Sequence, residues 1–330
     1  MLKGQFQTPQ EATTTSHEKL IEFFKEKGFS EEIDNLRNNS TILNFRSTNL
    51  GDVGAKLIAE VIKFNNSITY LELSYSRIGD IGIKEIAEAI RTNSSITYLD
   101  LTYNNISTVG IEELAEAFKF NNSITHLILR TNNIDNISAK LIAEAIRFNN
   151  SITRLDLSNN HISDIGVMPI AEVLKFNNSI TRFDLRHNDI GEIGAKLIAE
   201  AIRFNNSITH LDLSWNKIDE TGIKELSEAL KFNNSITYLN LYIYRNDTGI
   251  EEIKLINSYV DRNKNLAKKT GRTLDAKDRN FYHQEKYKAE VTSIKKSFTE
   301  QKVQTFLEND NIKDDINVLG GDSTFIPPAG

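Results

Sequence analysis

The side chains able to do chemistry in this chain of 330 residues do not assemble into a catalytic pattern. The six histidines stand singly, with no pair four residues apart to hold zinc on one helix face. There is no cysteine, so neither a thiol nucleophile, a disulfide nor a thiolate metal site is available. Lys268-Lys269-Thr270-Gly271-Arg272-Thr273 lacks the spacing of a phosphate-binding loop, and neither G-x-S-x-G nor H-E-x-x-H occurs. The expectation is a protein that is not an enzyme and carries no cofactor or metal.

What remains is a set of residue types suited to binding, arranged at one interval of 28 residues. One series runs Ile42, Tyr70, Tyr98, His126, Arg154, Arg182, His210, Tyr238. A second, two residues further on, runs Asn44, Glu72, Asp100, Ile128, Asp156, Asp184, Asp212, Asn240. A third runs Arg46, Ser74, Thr102, Arg130, Ser158, Arg186, Ser214, Tyr242, and beyond it come Tyr75, Tyr103, Thr131, Asn159, His187 and Trp215. Tyr, Trp, Arg and His are the types that dominate interface energy. Ile128 is the apolar break in an acidic series, which suggests a buried anchor for a partner. Arg154 beside Asp156, and Arg182 and Arg186 around Asp184, are placed to neutralise the row of carboxylates.

These series are columns of a repeat. The segment S-I-T-x-L-x-L-x-x-N-x-I starts at Ser67, Ser95, Ser123, Ser151, Ser179, Ser207 and Ser235, with a degraded copy from Asn39. A fixed period of this size means stacked supersecondary units, each too small to bury its own apolar face. Leu71 and Leu73 alternate with polar neighbours, which predicts a strand with one buried face. Parallel stacking then sets Leu71 beside Leu99 and Leu127. Asn104, Asn132, Asn160, Asn188 and Asn216 are placed to bind the loop backbone of their neighbours. Thr48, Ser76 and Tyr244 leave that column incomplete at its ends.

The second half of each unit reads as a helix, with Ile83, Ile86, Ala87 and Ile90 forming one apolar stripe. Phe64, Phe120, Phe148, Phe176, Phe204 and Phe232 recur at the repeat period, which predicts an aromatic column in the core. The Asn-Asn pairs that follow suit a left-handed helix terminus, and Pro169 is expected in the first turn of its helix.

The L-x-x-L-x-L-x-x-N-x-I segment, the L/I-A-E-A-I helix and the period together resemble leucine-rich repeats of the ribonuclease-inhibitor subtype. The resemblance implies an α/β solenoid, or horseshoe, with a parallel sheet on the concave face and helices on the convex face. It implies no single activity, since that fold hosts inhibitors, receptors and activators of GTPases.

The expected division is a polar start and helical cap over 1–38, eight repeats over 39–265 and a helical, partly basic extension over 266–330. Between Asp261 and Lys302 there are 12 Lys and Arg against 6 Asp and Glu, whereas the whole chain carries −6. Tyr287, Val291, Ile294 and Phe298 form one apolar helical stripe there. No run approaches a membrane span and no leader is apparent, so the expectation is a cytoplasmic protein. Its alternative is secretion without an N-terminal signal, as an effector. The net negative charge and the acidic column disfavour nucleic acid, and the weak apolar faces disfavour a membrane.

Residues 139–153 and 195–209 are identical, including water-facing positions, yet the strands associated with these copies differ. His126, Ile128 and Thr131 of one are replaced by Arg182, Asp184 and His187 in the other. Divergence concentrated on one face is what a specific binding surface produces. The expected function is a monomeric module for protein–protein interaction, acting as an effector or regulator. Its concave face would use Tyr70, Tyr98, Asp100, Tyr103, His126, Ile128, Arg130, Arg154, Asp156, Arg182, Asp184, Arg186, His187, His210, Asp212, Trp215 and Tyr238. The alternative is a GTPase activator of the Ran-activator type, but the region after the repeats is basic where those proteins are strongly acidic.

Overall fold

A core-facing leucine, or Phe183 in one strand, between two side chains of the opposite face, followed by a 3.6-residue apolar period, builds a strand and then a helix in every repeat. The computed structural model describes residues 18, 21–26, 28, 34, 40–241 and 249–270, all within one compact unit, Met1–Ala276. Its elements are β1 Ile42–Asn44, α1 Gly51–Ile62, β2 Tyr70–Glu72, α2 Asp80–Thr92, β3 Tyr98–Asp100, α3 Thr108–Phe120, β4 His126–Ile128 and α4 Asn136–Phe148. They continue with β5 Arg154–Asp156, α5 Asp164–Leu174, β6 Arg182–Asp184, α6 Glu192–Phe204, β7 His210–Asp212, α7 Glu220–Phe232, β8 Tyr238–Asn240 and α8 Ile250–Thr270. The eight strands form one open parallel sheet in sequence order. Each residue pairs with its equivalent one repeat away, so Leu71 lies opposite Leu99 and Leu99 opposite Leu127.

One apolar core runs the length of the stack. In the central repeat Ile124, Leu127, Leu129 and Ile134 meet Ala139, Ile142, Ala143 and Ile146 of α4, and none is more than 4% exposed. The alanines bring the helix close to the sheet. The side chains on either side of the strand leucines, such as His126 and Ile128 around Leu127, therefore belong to the face away from the helices.

Polar ladders hold the repeats in register. The Asn160 amide donates to Leu129 O of the preceding repeat at 3.2 Å and to Leu157 O of its own at 3.0 Å, and its Oδ1 accepts from Asn132 N at 3.0 Å. Ser76, at one end of the column, substitutes by donating its hydroxyl to Phe45 O at 2.7 Å; Tyr244, at the other end, lies outside the described residues. The Thr of S-I-T forms a second ladder, with Thr125 Oγ1 donating to Thr97 O at 3.0 Å. The Asn bonds satisfy backbone groups that a buried turn would otherwise orphan, whereas the Thr125 hydroxyl adds to a carbonyl that already accepts from the Thr125 and His126 amides.

The asparagine after each helix builds a third ladder, and here the expectation of a left-handed terminus fails. Asn149 is extended (φ −82°, ψ 124°) and buried. Its amide donates to Phe118 O and Asn121 O of the preceding repeat, both at 2.8 Å, while its Oδ1 accepts from Ser151 N and Ile152 N. The side chain spans two repeats, which a left-handed backbone at this position is not needed to achieve.

The phenylalanine column is likewise not core. Phe120, Phe148 and Phe176 are 55%, 64% and 78% exposed. Phe148 follows the buried Ile146 by two residues, about 200° around the helix, so it faces out when Ile146 faces in. Arg91 of the preceding repeat covers the Phe120 ring at 4.6 Å, and Arg203 does the same for Phe232 at 5.3 Å. Pro169 is the sixth residue of α5, past the first turn, and this helix is the shortest of the series, at 11 residues.

Helix starts are capped between repeats. Asp164, opening α5, accepts from Gly191 N at 2.6 Å and Gly194 N at 2.9 Å at the start of α6. Asp52 and Asp80 do the same for the helices that follow them. A Cβ on Gly194 would meet Asp164 Oδ1 at 2.5 Å, so the close approach of the carboxylate requires glycine there.

At the far end α8 supplies the polar finish. Asn263 donates to Asn233 O and Ile236 O at 3.0 and 2.9 Å, and Arg262 donates to Leu230 O, Lys231 O and Asn233 O. At the start, buried Phe24 packs at a tilt against Phe45, with centroids 5.0 Å apart and 44° between the ring planes. The stripe expected from Tyr287 to Phe298 lies outside the described residues.

Candidate functional site

The strand alternation that buries Leu71, Leu99, Leu127 and Leu155 sends three columns of side chains to the helix-free face. The first joins two stacks and a cationic centre. Tyr70 lies flat on Tyr98 (4.1 Å between centroids, 11° between planes), Tyr98 meets His126 at 5.9 Å, and His210 stacks on Tyr238 at 5.7 Å. Between the histidines stand Arg154 and Arg182, opposite each other in register. Burial, then the fields of Arg154 and Arg182, push the His126 imidazole below its usual range. Burial and Arg182 do the same to His210. Burial pushes the Tyr70 and Tyr98 hydroxyls up.

The acidic column has a different role from the one its charge suggested. Asp156 Oδ1 accepts from Ser158 N at 3.0 Å and from the Ser158 hydroxyl at 2.6 Å. Asp212 binds Ser214 in the same two ways. Asp100 accepts from Thr102 N at 2.8 Å, and Asp184 from Arg186 N at 3.0 Å. These carboxylates close the strand ends. Among the described residues one arginine of the face, Arg186, pairs with this column, its Nε 3.4 Å from Asp184; Arg154 and Arg182 do not neutralise it. Burial and the neighbouring Asp156 push the Asp184 carboxyl up to about 6. Ile128 is only 5% exposed, so it cannot serve as a free apolar anchor.

The turn after each strand creates the exposed aromatic edge. Tyr75, Tyr103, Thr131, Asn159, His187 and Trp215 all have φ between 51° and 59°. That left-handed region suits Gly, Asn or Asp and disfavours bulky side chains. Tyr103 and Trp215 are nevertheless 56% and 40% exposed. Tyr75 stacks on Tyr103 at 4.6 Å and His187 on Trp215 at 5.0 Å. From Tyr103 to Trp215, together with the buried Asn ladder and with His161 and Asp189 beyond it, this edge lines a groove of about 580 Å³.

The columns bring Tyr70, Tyr98, Asp100, His126, Arg130, Arg154, Asp156, Arg182, Asp184, Arg186, His210, Asp212 and Tyr238 to one face, with Tyr103, His187 and Trp215 along its edge. Sequence reasoning missed the threonines that orient the histidines, Thr125 Oγ1 to His126 Nδ1 and Thr209 Oγ1 to His210 Nδ1, both at 2.9 Å. The signal was present, because the Thr of S-I-T precedes every residue of the first column from Tyr70 onward. It also missed Asp189 on the groove wall, which pairs with Lys217 at 2.8 Å.

Segments 41–59, 64–87, 92–115, 148–171, 176–199 and 204–227 match the Leucine Rich repeat family. With eight parallel strands in one open sheet alternating with helices, the fold is a leucine-rich-repeat solenoid. Among solved structures the chain is similar to leiomodin-1 actin-binding site 2, with 22% identity, a TM-score of 0.40, and coverage of 53% of this chain and 95% of that one. It is also similar to the tropomodulin C-terminal domain of Caenorhabditis elegans, with 13% identity, a TM-score of 0.42, and coverage of 49% and 99% respectively. No curated protein matches the chain. No described helix is long and apolar enough to cross a membrane, and no group of three or more His, Asp or Glu among the described residues could hold a metal ion.

Proposed function

We propose that the protein is a non-catalytic interaction module, of the ribonuclease-inhibitor repeat subtype, that binds a protein partner on its helix-free sheet face. The observation that carries this reading is the choice of residues at the strand-end turns. A left-handed backbone position costs a bulky side chain about 1 kcal/mol or more, and asparagine, as at Asn159, relieves it. Tyr103, His187 and Trp215 occupy such positions while remaining exposed. Large aromatic side chains kept in the open against local preference are what a binding edge needs.

The test replaces Tyr103 and Trp215 by asparagine. Asparagine fits the turn, so the melting temperature should stay near that of the parent chain, because relief of backbone strain offsets the lost stacking. Capture of the partner from native cells should fall at least tenfold. Exchange of the exposed convex residue Glu144 for alanine should leave capture intact. Retention of full capture by the Tyr103→Asn/Trp215→Asn chain would remove this face from the function.

A further inference from the structure

The first column has an order that neither packing nor solubility demands. Tyr98, His126, Arg154, Arg182, His210 and Tyr238 read the same from either end. The six lie on consecutive strands in direct register. Like charges directly opposite on neighbouring strands are destabilising, yet Arg154 faces Arg182 at the centre. Neither guanidinium makes a hydrogen bond or ion pair with any described residue. The carboxylates of the next column are engaged by backbone amides and serine hydroxyls instead.

The flanking histidines are prepared in the same way on both sides. Each Thr hydroxyl gives its proton to a backbone carbonyl, Thr125 to Thr97 O and Thr209 to Thr181 O. A hydroxyl donating there accepts from the adjacent imidazole in the tautomer that carries its hydrogen on Nδ1, and that tautomer leaves Nε2 unprotonated in the neutral ring. Nε2 can take up a proton beside an anion. A pair of arginines without internal partners, bracketed by two such imidazoles and then by two tyrosines, is a surface completed by negative charge.

We propose that this row docks an extended acidic segment of the partner protein, with carboxylates on Arg154 and Arg182. The inference rests on the binding face assigned above and specifies its chemistry. Four strands at about 4.8 Å spacing make the cationic part about 14 Å long. Alternate side chains of an extended peptide lie about 7 Å apart, so acidic residues at positions one, three and five cover it. Asp156, Asp184 and Asp212 flank the row on one side, about 7 Å along the strands. They leave room for a single file of carboxylates and repel a broader polyanion such as nucleic acid.

Fluorescence anisotropy on the full chain tests this at 50 and 150 mM salt. The probe is a fluorescein-labelled peptide carrying three alternating glutamates, compared with its glutamine counterpart and a labelled 12-nucleotide oligo(dT). The glutamate peptide should bind at least tenfold more tightly than the glutamine peptide. Arg154→Glu/Arg182→Glu should remove that difference, and Lys224→Glu, a charge reversal elsewhere, should not. Arg154→Gln/Arg182→Gln gives the same readout if charge reversal prevents folding. Equal binding of the two peptides, no effect of either arginine pair, or tenfold tighter binding of the oligonucleotide through the same arginines would overturn the proposal. If partner capture is lost on Tyr103→Asn/Trp215→Asn but unaffected by Arg154→Gln/Arg182→Gln, the binding face stands and the acidic chemistry falls.

Discussion

At the scale of single residues, the helix-free face separates charge that is used from charge that is free. The aspartates close strand ends, whereas Arg154 and Arg182 have no hydrogen-bond or ion-pair partner among the described residues. Asp184 carries a measurable cost of this arrangement. Its carboxyl is pushed from 3.8 to about 6, first by burial and then by Asp156. The folded chain therefore holds this proton more tightly than the unfolded chain. The associated stability is present in full below the unfolded value and is lost as pH rises to about 6. Two pKa units correspond to about 3 kcal/mol; with the side chain still 23% exposed, solvent screening reduces this to about 1–2 kcal/mol. Asp184→Asn keeps an acceptor for Arg186 N. It should flatten the pH dependence of denaturant unfolding between pH 4 and 6 and raise stability at pH 7. An unchanged pH profile would show that the carboxyl titrates normally.

At the scale of the element, adjacent residues at the end of one helix have opposite weight. Phe148 is large and exposed; Asn149 is small, 1% exposed and bonded across two repeats. Phe148→Ala should therefore shift stability by less than about 1 kcal/mol, as surface substitutions do. Asn149→Ala strands two carbonyls and two amides and should cost about 2–4 kcal/mol. Urea unfolding of the two variants checks the order, and a larger loss for Phe148→Ala would mean that the aromatic column packs after all. Helical arithmetic could have placed Phe148 outward from its offset to Ile146. Recurrence at the repeat period marks equivalent positions, and says nothing by itself about which way they face. The buried role of Asn149 was less legible, because its partners sit in the preceding repeat.

At the scale of the whole molecule, each repeat leans on its neighbours, so the ends decide whether the stack is complete. Helix α8 buries Ile256 and Val260 and meets the last orphan carbonyls through Arg262 and Asn263. A chain ending at Thr270 should keep the cooperative unfolding transition of the full chain. One ending at Gly249 should melt several degrees lower or lose cooperativity, since burial of two aliphatic side chains alone is worth about 3–6 kcal/mol. Thermal unfolding followed by circular dichroism distinguishes them. Equal midpoints for the two would show that α8 is an appendage.

The repeat length, the strand–helix alternation, the parallel register and the first Asn ladder were all legible in the sequence. Each depends on local periodicity or on the identity of equivalent positions, and a single chain displays both. The columns that share a face were legible for the same reason. What only the tertiary structure decided is which of those side chains are already engaged. Asp164 reaches the next helix, Asn149 reaches the previous one, the acidic column turns to its own strand ends, and Ile128 is buried. Periodicity assigns a side chain to a face, but its free valence depends on distances of a few ångströms between segments 28 residues apart, which exist only after the repeats have stacked.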